Sequence, residues 1–136
     1  MPLTLANGSW LLDWPRTWGE WNDYIDAWGV EPNVMILALA LGYYAPRVCG
    51  QRVWIISGRR SSAEQAELYA RAQAGRSTLP AARPGESLHE QGRAFDIGTD
   101  FALSEGQWRC LGELGEALGL TWGGRFSTPD RNHFQR

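Results

Sequence analysis

The sequence predicts an α+β fold, a small, mainly antiparallel sheet packed against helices. Two sets of observations carry this expectation. Residues 15–28, 32–45, 61–74 and 104–119 combine helical apolar spacing with helix start or stop signals. Four short runs, Val53–Ile56, Ala94–Ile97, Leu120–Trp122 and Asn132–Gln135, have strand composition or follow turn signals. A chain of 136 residues, 43% hydrophobic and 21% charged, is read as one domain over 1–136 with a proper core. It contains no internal repeat, linker or low-complexity segment.

The first helix is a tryptophan-rich extension within residues 1–30. Trp14, Trp18, Trp21, Ile25 and Trp28 recur at spacings that make a narrow apolar stripe, with Pro15 at a first helical position and Gly29 as the stop. Packing of this stripe on the body of the domain is the preferred expectation, because exposed aromatic stripes are uncommon in monomers. Docking on a glycan or a protein is the alternative. The second helix, Pro32 to Ala45, is expected to close before Pro46. Its run from Val34 to Leu41 is apolar on nearly every side, which belongs in the middle of a core. Val53–Ile56 then reads as a buried strand that delivers Ser57-Gly58-Arg59-Arg60 to its exit.

Ser61 with Glu64 three residues later forms a capping-box pattern and starts a helix to about Ala74, with Ala66, Leu68, Tyr69 and Ala72 as packing residues. A loop from Gly75 to Glu86 follows, long enough to suggest function. Its Arg76 and Arg83 are either solvated charge or contacts for an acidic substrate. Ser104 with Gln107 repeats the capping box, and Trp108, Leu111, Leu114 and Leu118 give that helix an apolar face ending at Gly119. Leu120–Trp122 is a short strand, residues 123–129 turn the chain, and Asn132–Gln135 return as the last strand.

A net charge of −2 and a pI near 5.7 argue against a nucleic-acid partner, which usually leaves a basic face. Met1–Leu5 lacks the pattern of a signal peptide, and Val34–Leu41 is too short to span a membrane. A soluble cytosolic protein is therefore expected. Cys49 and Cys110 could pair, but without a short-spaced motif they fit buried thiols as well or better.

The chemistry concentrates in Ser87-Leu88-His89-Glu90-Gln91-Gly92-Arg93-Ala94-Phe95-Asp96-Ile97-Gly98 and in Pro129-Asp130-Arg131-Asn132-His133-Phe134-Gln135. The only two histidines, His89 and His133, each lie in one of these segments near an aspartate. A catalytic zinc typically takes three nitrogen or oxygen ligands and keeps one position open. His89, Asp96 and His133 can supply that set for one zinc per chain. Strand alternation turns Phe95 and Ile97 to the core and Asp96 to the site. Asp130 is left as a carboxylate close to the metal, suited to act as the general base that takes a proton from the attacking water and passes it to the leaving amine.

The spacing Ser-x-His-x-x-Gly-x-Ala-x-Asp, followed far downstream by Asp-x-x-His-Phe, resembles the zinc D,D-carboxypeptidase and L-alanyl-D-glutamate endopeptidase family, bacterial and phage enzymes that cut peptidoglycan stem peptides. Ser57-Gly58-Arg59-Arg60-Ser61 and Trp122-Gly123-Gly124 extend the resemblance over roughly 34 to 136. It implies a hedgehog/D-Ala-D-Ala peptidase-like fold. Arg60 corresponds to the family arginine associated with substrate binding or oxyanion stabilisation, and a guanidinium can grip a carboxylate through two hydrogen bonds. Ser87 resembles a residue that hydrogen-bonds near the substrate, though a local turn contact explains it equally. Gln65 matches a glutamine often seen after the arginine motif and is expected to support the site. Arg59 departs from an often aromatic position, which leaves its role open.

The resemblance implies a zinc peptidase acting on peptidoglycan stem peptides, either as an endopeptidase or as a carboxypeptidase. A phage lysis or virion enzyme (endolysin-like) is expected, located in the host cytoplasm before lysis or on the virion. The tryptophan stripe is the candidate contact for a phage tail or virion protein. The competing possibility is a zinc-containing structural or wall-binding tail domain that does not cut.

Overall fold

The computed structural model of the chain describes residues 17–77 and 79–136. Four helices, α1 (Trp18–Trp28), α2 (Pro32–Tyr44), α3 (Ser62–Gln73) and α4 (Glu105–Ala117), accompany four strands, β1 (Val53–Ser57), β2 (Ala94–Thr99), β3 (Thr121–Trp122) and β4 (His133–Gln135). The strands form one sheet in the order β1-β2-β4-β3, and every pairing is antiparallel. This is the α+β arrangement that the pattern of elements predicts.

α1 starts behind Thr17, whose hydroxyl accepts the Glu20 N–H at 3.1 Å, and ends at Gly29 in the left-handed region. Trp14 and Pro15 lie outside the described residues, as does the side chain of Trp18. Trp21, Ile25 and Trp28 are half-buried and pack against the core. The deepest anchor of this helix is Tyr24, only 1% exposed, which the tryptophan spacing does not single out.

α2 sits in the centre, with Val34, Met35, Ala38, Leu39 and Leu41 essentially inaccessible. The α-helix closes at Tyr44, before Pro46 as expected, but the chain does not straighten there. The backbone widens into a π-helical turn over Ala45–Cys49 and stops at Gly50, whose N–H reaches the Ala45 carbonyl. A proline breaks an α-helix through its missing N–H and its clash with the preceding turn. Here Pro46 stands in the first positions of the wider turn, where no N–H is required of it. The extra turn carries Cys49 to α4, where it forms a disulfide with Cys110. The expectation of buried thiols is thus corrected, because packing of two helices decides the pairing and sequence spacing does not show it.

Both capping boxes form, at Ser61 with Glu64 and at Ser104 with Gln107. On α3 the buried residue is Gln65, with Leu68, Tyr69 and Ala72 half-buried, whereas Ala66 is exposed. On α4 the glycines make the fit: a Cβ at Gly112 would collide with the Trp122 ring and one at Gly115 with the Phe134 ring. Strand residues therefore sit directly against the α4 backbone.

One face of the sheet, with Val53, Ile55, Phe95, Ile97 and Phe134, joins Tyr24, α2 and Leu111 in the core. Phe95 and Phe134 are paired across β2 and β4, and their rings stack at 5.8 Å. The opposite face carries Asp96 and His133, themselves a cross-strand pair, with Ser57 opposite Asp96 on β1. β1 is not buried throughout as expected. It is an edge strand, and Ile56, on the face away from the core, is 53% exposed.

Candidate metal and active site

Three strands place Ser57, Asp96 and His133 in one row, and a short 3-10 turn, Leu88–Gln91, brings His89 over it. Ser87 caps that turn by accepting the His89 N–H at 3.2 Å. Gly92 ends it with φ of 70°, and its carbonyl accepts the Glu31 N–H at 2.8 Å. A Cβ at Gly92 would stand 2.7 Å from the Gly29 carbonyl oxygen, so this position needs glycine for both conformation and space. The chain after β1 grips His89 twice. Gly58 accepts a hydrogen bond from Nδ1 at 2.8 Å, and the Arg60 N–H donates to the His89 carbonyl at 3.0 Å.

The Gly58 bond leaves the lone pair of His89 at Nε2. On the other ring, His133 Nε2 donates to Gln135 Oε1 at 2.8 Å, which leaves the His133 lone pair at Nδ1. These two nitrogens are 3.2 Å apart. Asp96 Oδ1 lies 3.1 Å from His133 Nδ1 and 3.5 Å from His89 Nε2. Three acceptors therefore face one another, and such a cluster calls for a positive charge at its centre.

Donors held at about 2.0–2.1 Å in tetrahedral geometry are spaced by about 3.3 Å, which the three observed separations bracket. Two imidazoles and a carboxylate suit zinc in preference to magnesium or calcium, which favour all-oxygen shells. The predicted set His89, Asp96 and His133 is thus brought together, and it could hold a metal ion. Asp130 is not among these donors.

Burial works against the Asp96 charge, but hydrogen bonds and charge from His133 and His89 outweigh it and hold its carboxyl at about 2. For His133, burial opposes protonation, yet Asp96, Gln135 and the Asp130 charge together raise its pKa above the ordinary value. Asp130 is half-buried at the edge of the same cleft. Its pKa is raised, first by burial and then by the Asp96 charge, with His133, His89 and Arg60 offsetting part of the effect. A raised carboxyl beside the donor cluster is the electrostatic setting of a group that takes up and returns a proton.

Arg60 stands across the cluster. Its Nη1 donates to Gln65 Oε1 at 2.9 Å, its Nη2 to Ser57 Oγ at 3.2 Å, and Nη2 lies 3.7 Å from Asp96 Oδ2. Gln65, 1% exposed, also donates through Nε2 to the Ala82 carbonyl at 2.7 Å. It therefore ties Arg60 to the loop that walls the cleft. Arg60, Gln65, Ser87, Asp130 and the three donors all border one cleft of about 580 Å³, walled by Leu68, Leu79 and Phe126. Arg59 lies outside it, packed against Gly29 beside a separate hollow. Arg76 and Arg83 do not line the cleft either, and Arg83 lies close enough to Tyr69 to lower its pKa.

Sequence reasoning missed Ser57, the Gly58 carbonyl, Gln135 and Phe126. Strand alternation could have found Gln135, two residues from His133 and so on the same face. The other three depend on register and turn geometry.

Residues 81–136 match the family model described as D-alanyl-D-alanine carboxypeptidase. The match covers less than half of the chain. No curated protein matches the chain in sequence. Among solved structures, the L-Ala D-Glu endopeptidase ChiX of Serratia marcescens aligns with TM-score 0.60 and 22% identity over 84% of each chain. The vancomycin resistance D,D-pentapeptidase VanY, solved with Zn(II), aligns with TM-score 0.61 and 19% identity over 99% of this chain and 77% of that one. DacB from Streptococcus pneumoniae gives TM-score 0.59 and 22% identity over 78% and 65%. At these identities the likeness establishes the shared fold.

Proposed function

We propose that this protein is a peptidase, a zinc-dependent hydrolase of amide bonds in peptidoglycan stem peptides. The observation that carries the reading is the convergence of His89 Nε2, His133 Nδ1 and Asp96 Oδ1, each oriented by a partner or by strand pairing, beside a carboxyl of raised pKa. His89, Asp96 and His133 would hold the ion, which when bound supplies an activated water and polarises the scissile carbonyl. The D-alanyl-D-alanine carboxypeptidase match and the printed activities of ChiX and VanY support the substrate class.

Asp130 takes the proton from the attacking water and returns it to the departing amine. Arg60, fixed by Ser57 and Gln65, turns a guanidinium toward the cleft, where it binds a substrate carboxylate or the charge that develops on the carbonyl oxygen. Ser87 shapes the wall through its cap on the His89 turn. Gly58 and Gln135 keep the two imidazoles in the tautomers the donor set requires.

We place its work at the cell wall, as a phage lysis or virion enzyme that waits in the host cytoplasm or on the particle. The Cys49–Cys110 bridge supports action outside a reducing compartment. The deciding experiment replaces Asp130 by Asn and digests purified peptidoglycan with mass-spectrometric readout. Zinc content should be retained while turnover falls by about 100-fold or more. Near-normal turnover would remove Asp130 from its role.

A further inference from the structure

Glu90 follows the donor His89 on the Leu88–Gln91 turn, yet it borders the separate hollow beside Arg59 and not the cleft. There its carboxylate gathers two other segments. Oε2 accepts the hydroxyl of Ser62, the first residue of α3, at 2.8 Å, and both oxygens lie 2.9 Å from the Gly85 nitrogen, which donates to them. Gly85 closes the loop whose Leu79, Pro80, Ala81 and Ala82 wall the cleft. A carboxylate makes stronger hydrogen bonds to neutral donors than a neutral acceptor does.

The turn itself is fixed through its backbone. The Arg60 N–H donates to the His89 carbonyl and the Arg93 N–H to that of Leu88, at 3.0 Å each. Glu90 is thus an arm reaching from a fastened turn to the wall loop. Gln65 holds the same loop from the α3 side through the Ala82 carbonyl.

Resting on the hydrolytic reading above, we propose that Glu90 is a positioning residue, which latches the wall loop to the His89 turn and so sets the width of the cleft that a stem peptide enters. It touches neither the donors nor the peptide. Releasing the latch lets the wall move away from bound peptide, while Gly58 and Arg60 still hold His89. Substrate binding therefore weakens and the chemical step does not.

The test compares Glu90→Ala, which removes both bonds, with Glu90→Gln, which keeps an acceptor for the Gly85 N–H and can donate to the Ser62 oxygen. In metal-free protein, hydrogen exchange at Gly85 should speed about tenfold in Glu90→Ala and stay within about threefold of the parent in Glu90→Gln, with exchange in α2 and β2 unchanged. In zinc-loaded protein cutting a stem-type peptide, Glu90→Ala should raise KM about tenfold at a kcat within about threefold of the parent, and Glu90→Gln should restore KM. Unchanged Gly85 exchange or an unchanged KM in Glu90→Ala would overturn the proposal. So would faster exchange throughout α2 and β2, the mark of a merely structural role, or a fall in kcat and zinc content. If the parent hydrolyses no stem peptide, the hydrolytic reading fails by itself. The latch is then decided by Gly85 exchange: a contrast between the two variants upholds it, and equal exchange overturns it.

Discussion

Replacing Gln135 by Leu should weaken zinc binding without disturbing the sheet. Gln135 Oε1 accepts the His133 Nε2 proton at 2.8 Å, and that bond keeps the Nδ1 lone pair facing Asp96 and His89. Leucine has similar volume and suits a half-buried strand position, but it cannot accept. The proton can then move to Nδ1, where it occupies the metal's place. The lost hydrogen bond is worth about 1 kcal/mol net, and loss of an orienting partner typically costs about 10–100-fold in metal affinity, or about 1.4–2.7 kcal/mol. Competition against a chromophoric chelator at neutral pH measures this directly. Nitrogen NMR of the metal-free protein should show His133 shifting from the Nε2–H toward the Nδ1–H tautomer. Gln135→Glu should restore affinity, because a carboxylate is a stronger acceptor for the same proton. An affinity for Gln135→Leu within about threefold of the parent would refute the reasoning, since the tautomer would then be fixed by the strand alone.

Zinc affinity should be strongly pH-dependent, and the direction of the His133 shift sets the window. Its pKa is raised, so the proton competes with the metal from somewhat above the ordinary value of about 6.5 downward. In metal-free protein the same group stabilises the fold fully below its unfolded pKa, and that contribution is lost as pH rises through the folded one. Chelator titrations against pH check the first point and thermal melts of apo protein the second. Reducing the Cys49–Cys110 bridge, which joins residues 61 apart in sequence, should cost about 4 kcal/mol on the chain-entropy account and lower Tm by about 10–15 °C. Melting Cys49→Ser with Cys110→Ser tests this, and a fall under about 3 °C would contradict it. Tyr24→Ala should cost about 3 kcal/mol, because Tyr24 ties α1 to the core. A loss under about 1 kcal/mol in denaturant unfolding would mean that α1 contributes little to the body of the domain.

The candidate metal donors were legible because they are scarce and regularly placed: two histidines in the chain, each a few residues from an aspartate, with Asp96 on a strand whose alternating apolar residues fix its direction. Helix starts at Ser61 and Ser104 were legible for a similar reason, since a capping box is satisfied within four residues. An apolar character on nearly every side likewise assigned Val34–Leu41 to the core, although Ile36 is 47% exposed. These are local patterns, and local physics decides them.

What the tertiary structure alone decided is contact between distant segments. The row Ser57, Asp96, His133 exists because β2 pairs with both β1 and β4 in a particular register, which no single segment encodes. Gln65 became a buried bridge from Arg60 to Ala82 because α3 turns that side chain inward, where helical spacing had put Ala66, Leu68, Tyr69 and Ala72. Cys49 met Cys110 because a π-helical turn after α2 carried the chain past Pro46 to the side of α4. Residue type and spacing determined which chemistry was available. The packing of the sheet and helices determined which lone pairs point at one another, because orientation depends on hydrogen-bond partners far apart in the chain.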